Sequence, residues 1–270
     1  MTPAELFWFG LALKIVLTAV VVVITSLVVE RSGPFVGALI GAAPSAAGAA
    51  YTILALEHPP EFIAASAVGS VAVNAAIAVF AATYAIVAQR RGLVVSLGAA
   101  SVVWLAAVAA LRLVGWTPLS AVLLNLMVFA IAIPLTWRYR AGGVPAKFRR
   151  TRFDIPLRAF AAGIVVAVVT AASSSIGSFT SGMFALFPII LGSAIVIMHP
   201  RIGGKITASM LAHALLPLIG LGLGFLVVHY LVAPLGVWWA LVVGLVVCVA
   251  WSGGLLLIRM QMQKRSALSV

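Results

Sequence analysis

Long apolar runs, separated by short polar breaks, cover almost the whole of this 270-residue chain. A helix needs about 20 mostly apolar residues to cross ~30 Å of hydrocarbon at ~1.5 Å per residue. By that criterion the pattern predicts nine spans, over residues 7–29, 33–57, 61–88, 93–115, 117–137, 155–175, 178–198, 204–230 and 235–258. Small and turn-forming residues dilute the second and seventh runs. Only residues 138–154 form a sizeable polar connection.

The composition also indicates a membrane protein. Hydrophobic residues make up 64% of the chain and charged residues 8%, whereas a soluble domain usually has about 25% charged residues. A single cysteine, Cys248, excludes an intramolecular disulfide and a cysteine metal cluster. The N-terminus lacks the basic region of a signal peptide, so the first run is predicted to be a retained span. The predicted fold class is an all-α polytopic membrane protein.

The basic residues predict the orientation. With residues 138–154 placed in the cytoplasm, 15 of the 17 Lys and Arg residues fall on the inner side, leaving Lys14 and Arg112 on the outer half. Three of the five acidic residues then fall outside: Glu5, Glu57 and Glu61. We expect a bacterial inner membrane protein with its N-terminus outside and its C-terminus cytoplasmic. Topology accounts for the net charge of +12, so no nucleic-acid partner is expected, and the basic loop is expected to meet anionic lipid.

An internal repeat relates the two halves of the chain. At a constant offset of 144, four pairs align: Gly33 with Gly177, Phe35 with Phe179, Pro44 with Pro188 and Gly48 with Gly192. The repeat predicts two four-helix units, 1–116 and 155–270, joined by a fifth helix and the basic loop over 117–154. Five spans separate equivalent helices, so the copies cross the membrane in opposite directions, a 4+1+4 inverted-repeat arrangement typical of secondary transporters. A duplication that only builds a stable bundle is the alternative.

The two aligned prolines lie in the spans with the poorest helix formers. Each removes a backbone hydrogen bond about 15 Å into its span, near the bilayer centre. Interrupted backbone at that depth is tolerated where it is buried in protein or lines a wet cavity, and matched interruptions point to a transporter's binding site. We therefore expect solute to bind near Pro44, Ser45, Gly48, Pro188 and Gly192. A simple packing kink is the alternative.

Two polar stripes follow the third and eighth spans. Each has a spacing of four residues: Ser66, Ser70 and Asn74 on one, and Lys205, Ser209 and His213 on the other. Asn74 and His213 fall near mid-membrane, where a buried amide or imidazole needs a partner or water. We expect a solute site with contributions from Ser66, Ser70, Asn74, Asn125, Ser209 and His213. Helix packing is the alternative for the serines, and a bond to a carbonyl or to Asn125 is the alternative for His213.

The remaining chemistry narrows the solute class. No Asp or Glu lies in a predicted membrane core, so a cation is disfavoured, while the positive inner field and the amide ends freed at the interruptions suit an anionic or neutral solute. If transport is proton-coupled, His213 is the expected group, because histidine changes charge near neutral pH. The topology separates the four histidines, so no metal site and no cofactor are expected. The hydroxyls of residues 173–182 lie at the outer mouth, with no base expected beside them for nucleophilic catalysis.

These patterns predict a secondary transporter or facilitator rather than an enzyme. A passive channel, a lipid-handling protein, a membrane enzyme and an accessory subunit are the alternatives. The expected partners are membrane lipid and a small-molecule solute, and the question of a homo-oligomer is left open.

Overall fold

The chain folds into a bundle of α-helices. A computed structural model describes residues 45–141 and 154–268, together with residues 9, 12, 15, 16, 19, 20, 23 and 24. Over these ranges every regular element is helical and none is a strand. This confirms the all-α class that the apolar pattern predicts.

Eight helices and one short turn make up the described structure. They are α1 (Ser45–Glu57), α2 (Pro60–Val87), α3 (Leu93–Leu111), α4 (Pro118–Trp137), a 3-10 turn (Arg138–Ala141), α5 (Asp154–Ala185), α6 (Ile189–Ile202), α7 (Gly204–Leu235) and α8 (Val237–Leu268). Six of them, α2 to α5, α7 and α8, are long and apolar enough to cross a bilayer, and α1 and α6 are shorter apolar helices. In hydrocarbon a helix satisfies all its backbone hydrogen bonds internally, which is why these sequences fold this way.

Most predicted spans coincide with observed helices. The third, fourth, fifth, eighth and ninth match α2, α3, α4, α7 and α8, and the sixth matches the first part of α5. Residues 1–44, apart from the eight named above, lie outside the described structure. The count of nine spans and their 4+1+4 arrangement therefore stay predictions.

Gly177 divides α5 into two helical parts. Its backbone (φ 78°, ψ 167°) is non-helical, while the residues on both sides are helical. A positive φ is a conformation that glycine adopts without the strain of a Cβ atom. The sharp bend lies between the predicted sixth and seventh spans.

The central helices α2 and α7 run antiparallel. Near the start of α2, the Ala64 carbonyl accepts from Nδ1 of His229, which lies near the end of α7, at 2.9 Å. At the other end of the pair, a Cβ atom on Gly204 would stand 2.7 Å from the Ala88 carbonyl oxygen. The small residue Gly204 thus allows the two backbones to approach closely at this end of the pair.

The described residues near the N-terminus pack against the first part of α5. A Cβ atom on Gly163 would stand 3.1 Å from the Ile15 carbonyl oxygen. Ala19 packs against the small cluster formed by Ala159 and Ala162. The first predicted span and the sixth are therefore neighbours.

Candidate functional site

The seventh predicted span, residues 178–198, is interrupted at Pro188. α5 ends at Ala185 and α6 begins at Ile189, with Pro188 as its N-cap (φ −74°, ψ 45°). Pro188 has no backbone N–H, and the first amides of α6 have no intrahelical acceptor. The Pro188 carbonyl accepts from the Gly192 amide at 2.8 Å, so α6 begins as a regular helix. Measured along the helix axis at ~1.5 Å per residue, the interruption lies about 15 Å after the bend at Gly177.

Gly192 and Gly48, which the repeat aligns, both face open space. Apart from the adjoining residues and backbone of its own helix, no atom of a described residue lies within 4 Å of the place where a Cβ atom would stand on either glycine. Gly48 lies in α1, of which the structure describes Ser45–Glu57. Pro44 and the side chain of Ser45 lie outside the described residues, so their predicted roles stay predictions. Among the described residues, nothing from another helix covers the first turn of α6 at Gly192.

An unpaired indole N–H lies beside the interruption. The Trp104 ring of α3 packs edge-to-face on Phe187, with ring centroids 4.9 Å apart and an interplanar angle of 79°. Trp104 is 1% exposed, and its Nε1 atom has no acceptor in the described structure. A buried donor without an acceptor costs about 1–3 kcal/mol, so such a group is usually satisfied by water or by a group from outside the described residues.

Ser66 and Ser70 hold α2 against the second part of α5. Ser66 Oγ donates to the Ser178 carbonyl at 2.9 Å, and Ser70 Oγ donates to the Gly182 carbonyl at 2.7 Å. Because the Ser70 proton is used in that bond, the Tyr51 hydroxyl of α1, at 2.7 Å, must donate to Ser70 Oγ. Both serines are fully buried. In this conformation neither hydroxyl is open to a solute.

Backbones touch at this α2–α5 crossing. A Cβ atom on Gly182 would overlap the Ser66 carbonyl oxygen, and one on Gly69 would overlap the Phe179 carbonyl oxygen. The crossing is therefore closed to anything larger than hydrogen. Small residues and hydroxyl-to-carbonyl bonds are the usual means by which membrane helices associate.

Asn74 and Asn125 pair between α2, α4 and α7. Asn74 Nδ2 donates to Asn125 Oδ1 at 3.0 Å and to the Leu218 carbonyl at 2.9 Å. Asn125 Nδ2 in turn donates to the Val71 carbonyl at 2.7 Å. Asn74 Oδ1 is buried and has no donor among the described residues. The pair therefore has one free acceptor, which suits a water molecule or a ligand N–H or O–H.

Ser209 and His213 lie beside the 3-10 turn and not beside Asn125. Ser209 Oγ donates to the Arg140 carbonyl at 3.0 Å. His213 Nδ1 is 2.8 Å from the Ser209 carbonyl, and since a carbonyl only accepts, Nδ1 carries the proton. His213 thus bonds a carbonyl, which is one of the alternatives that the sequence analysis gives for it. It does not bond Asn125, whose side-chain amide bonds Asn74 and the Val71 carbonyl.

The expectation that no base lies beside the hydroxyls of residues 173–182 is wrong for Ser173. His58 Nε2 is 2.7 Å from Ser173 Oγ. Ser173 Oγ donates to the Thr170 carbonyl at 2.7 Å, so His58 is the donor in the first bond and does not withdraw the serine proton. Ser173 is 2% exposed, and a nucleophile needs both a base that accepts its proton and access to substrate. The pair joins α5 to the end of α1.

The other two histidines are also bonded singly. His199 Nδ1 lies 2.6 Å from the Tyr84 hydroxyl, and His229 bonds the Ala64 carbonyl. Within the described ranges, no three His, Cys, Asp or Glu side chains come together as a metal site would require.

The sequence pattern predicts no role for three residues that take part in these contacts: Tyr51, Trp104 and Arg140. Trp104 had a signal, because tryptophan prefers the membrane interface and this one lies well inside an apolar span. Tyr51 and Arg140 are recognisable only through their contacts in the folded chain.

No family model, no curated protein and no solved structure matches this chain. Its function must therefore be inferred from the chemistry of its own helices. That chemistry consists of hydrogen-bond donors and acceptors at an interrupted helix, in the part of the chain that the structure describes.

Proposed function

We propose that this protein is a secondary transporter or facilitator that moves a small anionic or neutral solute across the bacterial inner membrane. The observation that carries the proposal is the interruption between Ala185 and Ile189. Secondary transporters bind substrate at discontinuous helices near the midplane, where the amide end of a half-helix meets an anionic group. The same amides attract anions through their partial positive charge.

The surroundings of the interruption support a ligand there. Among the described residues, no other helix covers the first turn of α6 at Gly192, and none supplies an acceptor for the buried Trp104 indole N–H. A solute carboxylate or carbonyl oxygen would satisfy both the indole and the free amides. The aromatic rings of Trp104, Phe184 and Phe187 pack together and would form one apolar wall.

Contacts between the two halves support the inverted repeat within the proposal. At the offset of 144, Asn74 corresponds to Leu218, and these two residues bond each other. Ile15 corresponds to Ala159 and Ala19 to Gly163; Ile15 contacts Gly163, while Ala19 packs against the cluster of Ala159 and Ala162. Equivalent residues that meet in antiparallel helices are what an in-plane pseudo-twofold axis produces.

The helix contacts follow the same relation. If α1, α2 and α3 correspond to α6, α7 and α8, the contact between α1 and α8 is the counterpart of the contact between α3 and α6, and both exist. α4, the proposed linker, contacts both α2 and α7. The antiparallel α2–α7 pair also brings together the ends that the basic residues assign to the cytoplasm, in keeping with an outer N-terminus and an inner C-terminus.

Within this proposal the predicted site residues take different positions. Pro188 and Gly192 line the solute site, and Pro44, Ser45 and Gly48 lie at the equivalent place in the other half. Asn74 and Asn125 are deeper in the bundle, and Ser209 and His213 are near the inner end. Ser66 and Ser70 would meet solute only after the α2–α5 crossing opens.

Two other classes make different predictions. A passive channel would conduct without saturation. A lipid-handling protein or membrane enzyme would retain a lipid headgroup in a lateral cleft.

Replacement of Pro188 tests the transport site. A library of solutes is screened for those that raise the melting temperature of the detergent-purified protein, and the best is used for uptake into proteoliposomes. Pro188→Ala lets the backbone helix continue across the interruption, so we expect uptake to fall at least ~10-fold while the protein still folds. Pro134→Ala, in the exposed face of α4, is the matched control and should leave uptake unchanged.

Saturable uptake that depends on Pro188 would support a carrier. If no solute stabilises the wild-type protein and no saturable uptake is found, the transporter proposal fails. If Pro188→Ala and Pro134→Ala both behave as wild type, the interruption is only a packing feature.

A further inference from the structure

The 3-10 turn carries a cation that the described residues leave without a counter-charge. Arg140 Nε donates to the Ala212 carbonyl at 3.2 Å, and the guanidinium carbon stands 4.5 Å from the centroid of the Trp137 ring. The Arg140 carbonyl is also fixed, because it accepts from Ser209 Oγ at 3.0 Å. Backbone, Nε and guanidinium plane are thus each held by a different partner, and the side chain is pre-organised.

The far edge of this guanidinium has no partner in the described structure. Nη2 is buried and makes no hydrogen bond, and no described carboxylate pairs with Arg140. A guanidinium has five N–H groups in a planar fork, and only the Nε group is used by a described residue. A buried guanidinium N–H without an acceptor is unfavourable, so the fork is suited to an acceptor that the described residues do not supply.

The neighbouring surface of α7 provides further polar atoms. Ser209, Ala212 and His213 are three and four residues apart, which puts them on one face of the helix. His213 uses Nδ1 for the Ser209 carbonyl, and no described residue bonds its Nε2 atom. The polar surface around Arg140 is built from two separate elements, the 3-10 turn and α7.

We propose that Arg140 and the facing surface of α7 form an oxyanion-binding site, in which the guanidinium fork binds a carboxylate or phosphate group. This inference rests on the proposed function, for which the site would receive or release an anionic solute at the inner side of the membrane. The planar fork of arginine matches two oxygens of such a group, which the ammonium of lysine does not. The same chemistry is offered by two sources, a free anion and the phosphate of an anionic lipid.

Arg138 is a matched control within the same turn. It has the same charge and lies two residues away, but its side chain is exposed and its Nη2 atom donates to the Tyr139 hydroxyl at 2.7 Å. A general effect of positive charge at the membrane surface would involve both arginines. A built site involves only Arg140.

The test compares Arg140→Gln with Arg138→Gln in two arms, using the full-length protein. In the first arm, the protein in phosphatidylcholine nanodiscs is titrated with acetate and with inorganic phosphate, and its melting temperature is followed. In the second arm, native mass spectrometry counts phosphatidylglycerol molecules retained from mixed phosphatidylglycerol and phosphatidylcholine vesicles. A charge-assisted pair predicts that Arg140→Gln weakens binding at least ~10-fold in one arm, while Arg138→Gln stays within ~2-fold of wild type.

Each outcome decides the inference. Loss in the first arm assigns the site to a free anion, and loss in the second assigns it to a lipid phosphate. Equal behaviour of the two variants in both arms, or no binding of any probe by wild type, overturns the inference. Should Arg140→Gln fail to fold, Arg140→Lys keeps the charge without the fork and should still bind more weakly than wild type.

The two proposals fail separately. If wild type binds these probes through Arg140 but shows no saturable uptake of any solute, the transporter proposal falls and the oxyanion site stands. If uptake depends on Pro188 while Arg140→Gln and Arg138→Gln bind the probes equally, the oxyanion site falls and the transporter proposal stands.

Discussion

Residues 178–192 contribute to two contrasting regions, the crossing of α5 with α2 and the interruption between α5 and α6. The two regions differ in how their small residues are used. At the crossing, Gly182 lies against the Ser66 backbone, and the Ser66 and Ser70 hydroxyls are bonded to carbonyls. At the interruption, no other described helix lies against Gly192, and the nearby Trp104 N–H has no acceptor among the described residues. Both regions have sequences poor in helix formers. The comparison teaches that glycine, serine and proline in a membrane span indicate either close packing or a site, and that the neighbouring helix decides which.

Adding a methyl group at Gly182 and at Gly192 is expected to give the largest difference in stability between the two regions. Gly182→Ala would overlap the Ser66 carbonyl, which cannot move aside without shifting α2, so we expect about 3 kcal/mol or more of destabilisation. Gly192→Ala has room and replaces a poor helix former, so we expect a gain of up to about 1 kcal/mol. Melting temperatures of the two purified variants measure the contrast. Equal melting temperatures would mean that the crossing is not closed.

Removal of the Ser70 hydroxyl tests the α2–α5 crossing and is expected to cost less stability than Gly182→Ala. Ser70→Ala deletes the bond to the Gly182 carbonyl and strands the Tyr51 hydroxyl, so we expect a loss of about 1–2 kcal/mol. In Tyr51→Phe/Ser70→Ala the stranded group is gone, and the combined loss should be less than the sum of the single losses. Ser175→Ala, at an exposed hydroxyl on α5, is the control and should leave the melting temperature unchanged. Strict additivity would contradict the chain of bonds from Tyr51 to Gly182.

The unpaired indole gives the smallest expected change in stability and the most specific change in binding. Trp104→Phe loses packing of the buried ring but also removes a donor that has no acceptor among the described residues, and because these two effects oppose each other the ligand-free melting temperature should change little. Trp116→Phe, whose Nε1 donates to the Leu111 carbonyl at 2.7 Å, is the control and should lose about 1 kcal/mol. Stabilisation by the best solute of the screen should fall in Trp104→Phe only. If that stabilisation is unchanged in Trp104→Phe, the indole does not contact the solute.

Much of the helical architecture was predictable because the bilayer allows few solutions. α2, α3 and α4 begin and end within a few residues of the predicted spans, apart from the last turn predicted for α3. The interruption at Pro188 was also predictable, since a proline within an apolar run removes an amide wherever the helix packs. The long α5 was divided correctly at Gly177 because small and polar residues follow it.

The contacts of the polar side chains were less predictable. The spacing of Ser66, Ser70 and Asn74 correctly assigns them to one face, but the first two bond α5 while the third bonds α4 and α7. His213 was weighed as a partner of Asn125, whereas it bonds a carbonyl of its own helix. The spacing of residues along a helix determines the direction in which each side chain points from the helix axis. It does not determine which neighbouring helix lies in that direction.

By itself the sequence determined that the chain is helical, that it has apolar segments long enough for a membrane, and the approximate limits of α2 and α4. These features follow from local covalent geometry and from the hydropathy of single segments, which no neighbour changes. Only the tertiary structure decided that the serine stripe is closed, that no other described helix covers Gly192, and that Arg140 and Trp104 have donors without a partner among the described residues. Packing and pairing depend on residues more than 50 positions apart in the chain, and their relative placement is set by the balance of all helix contacts at once.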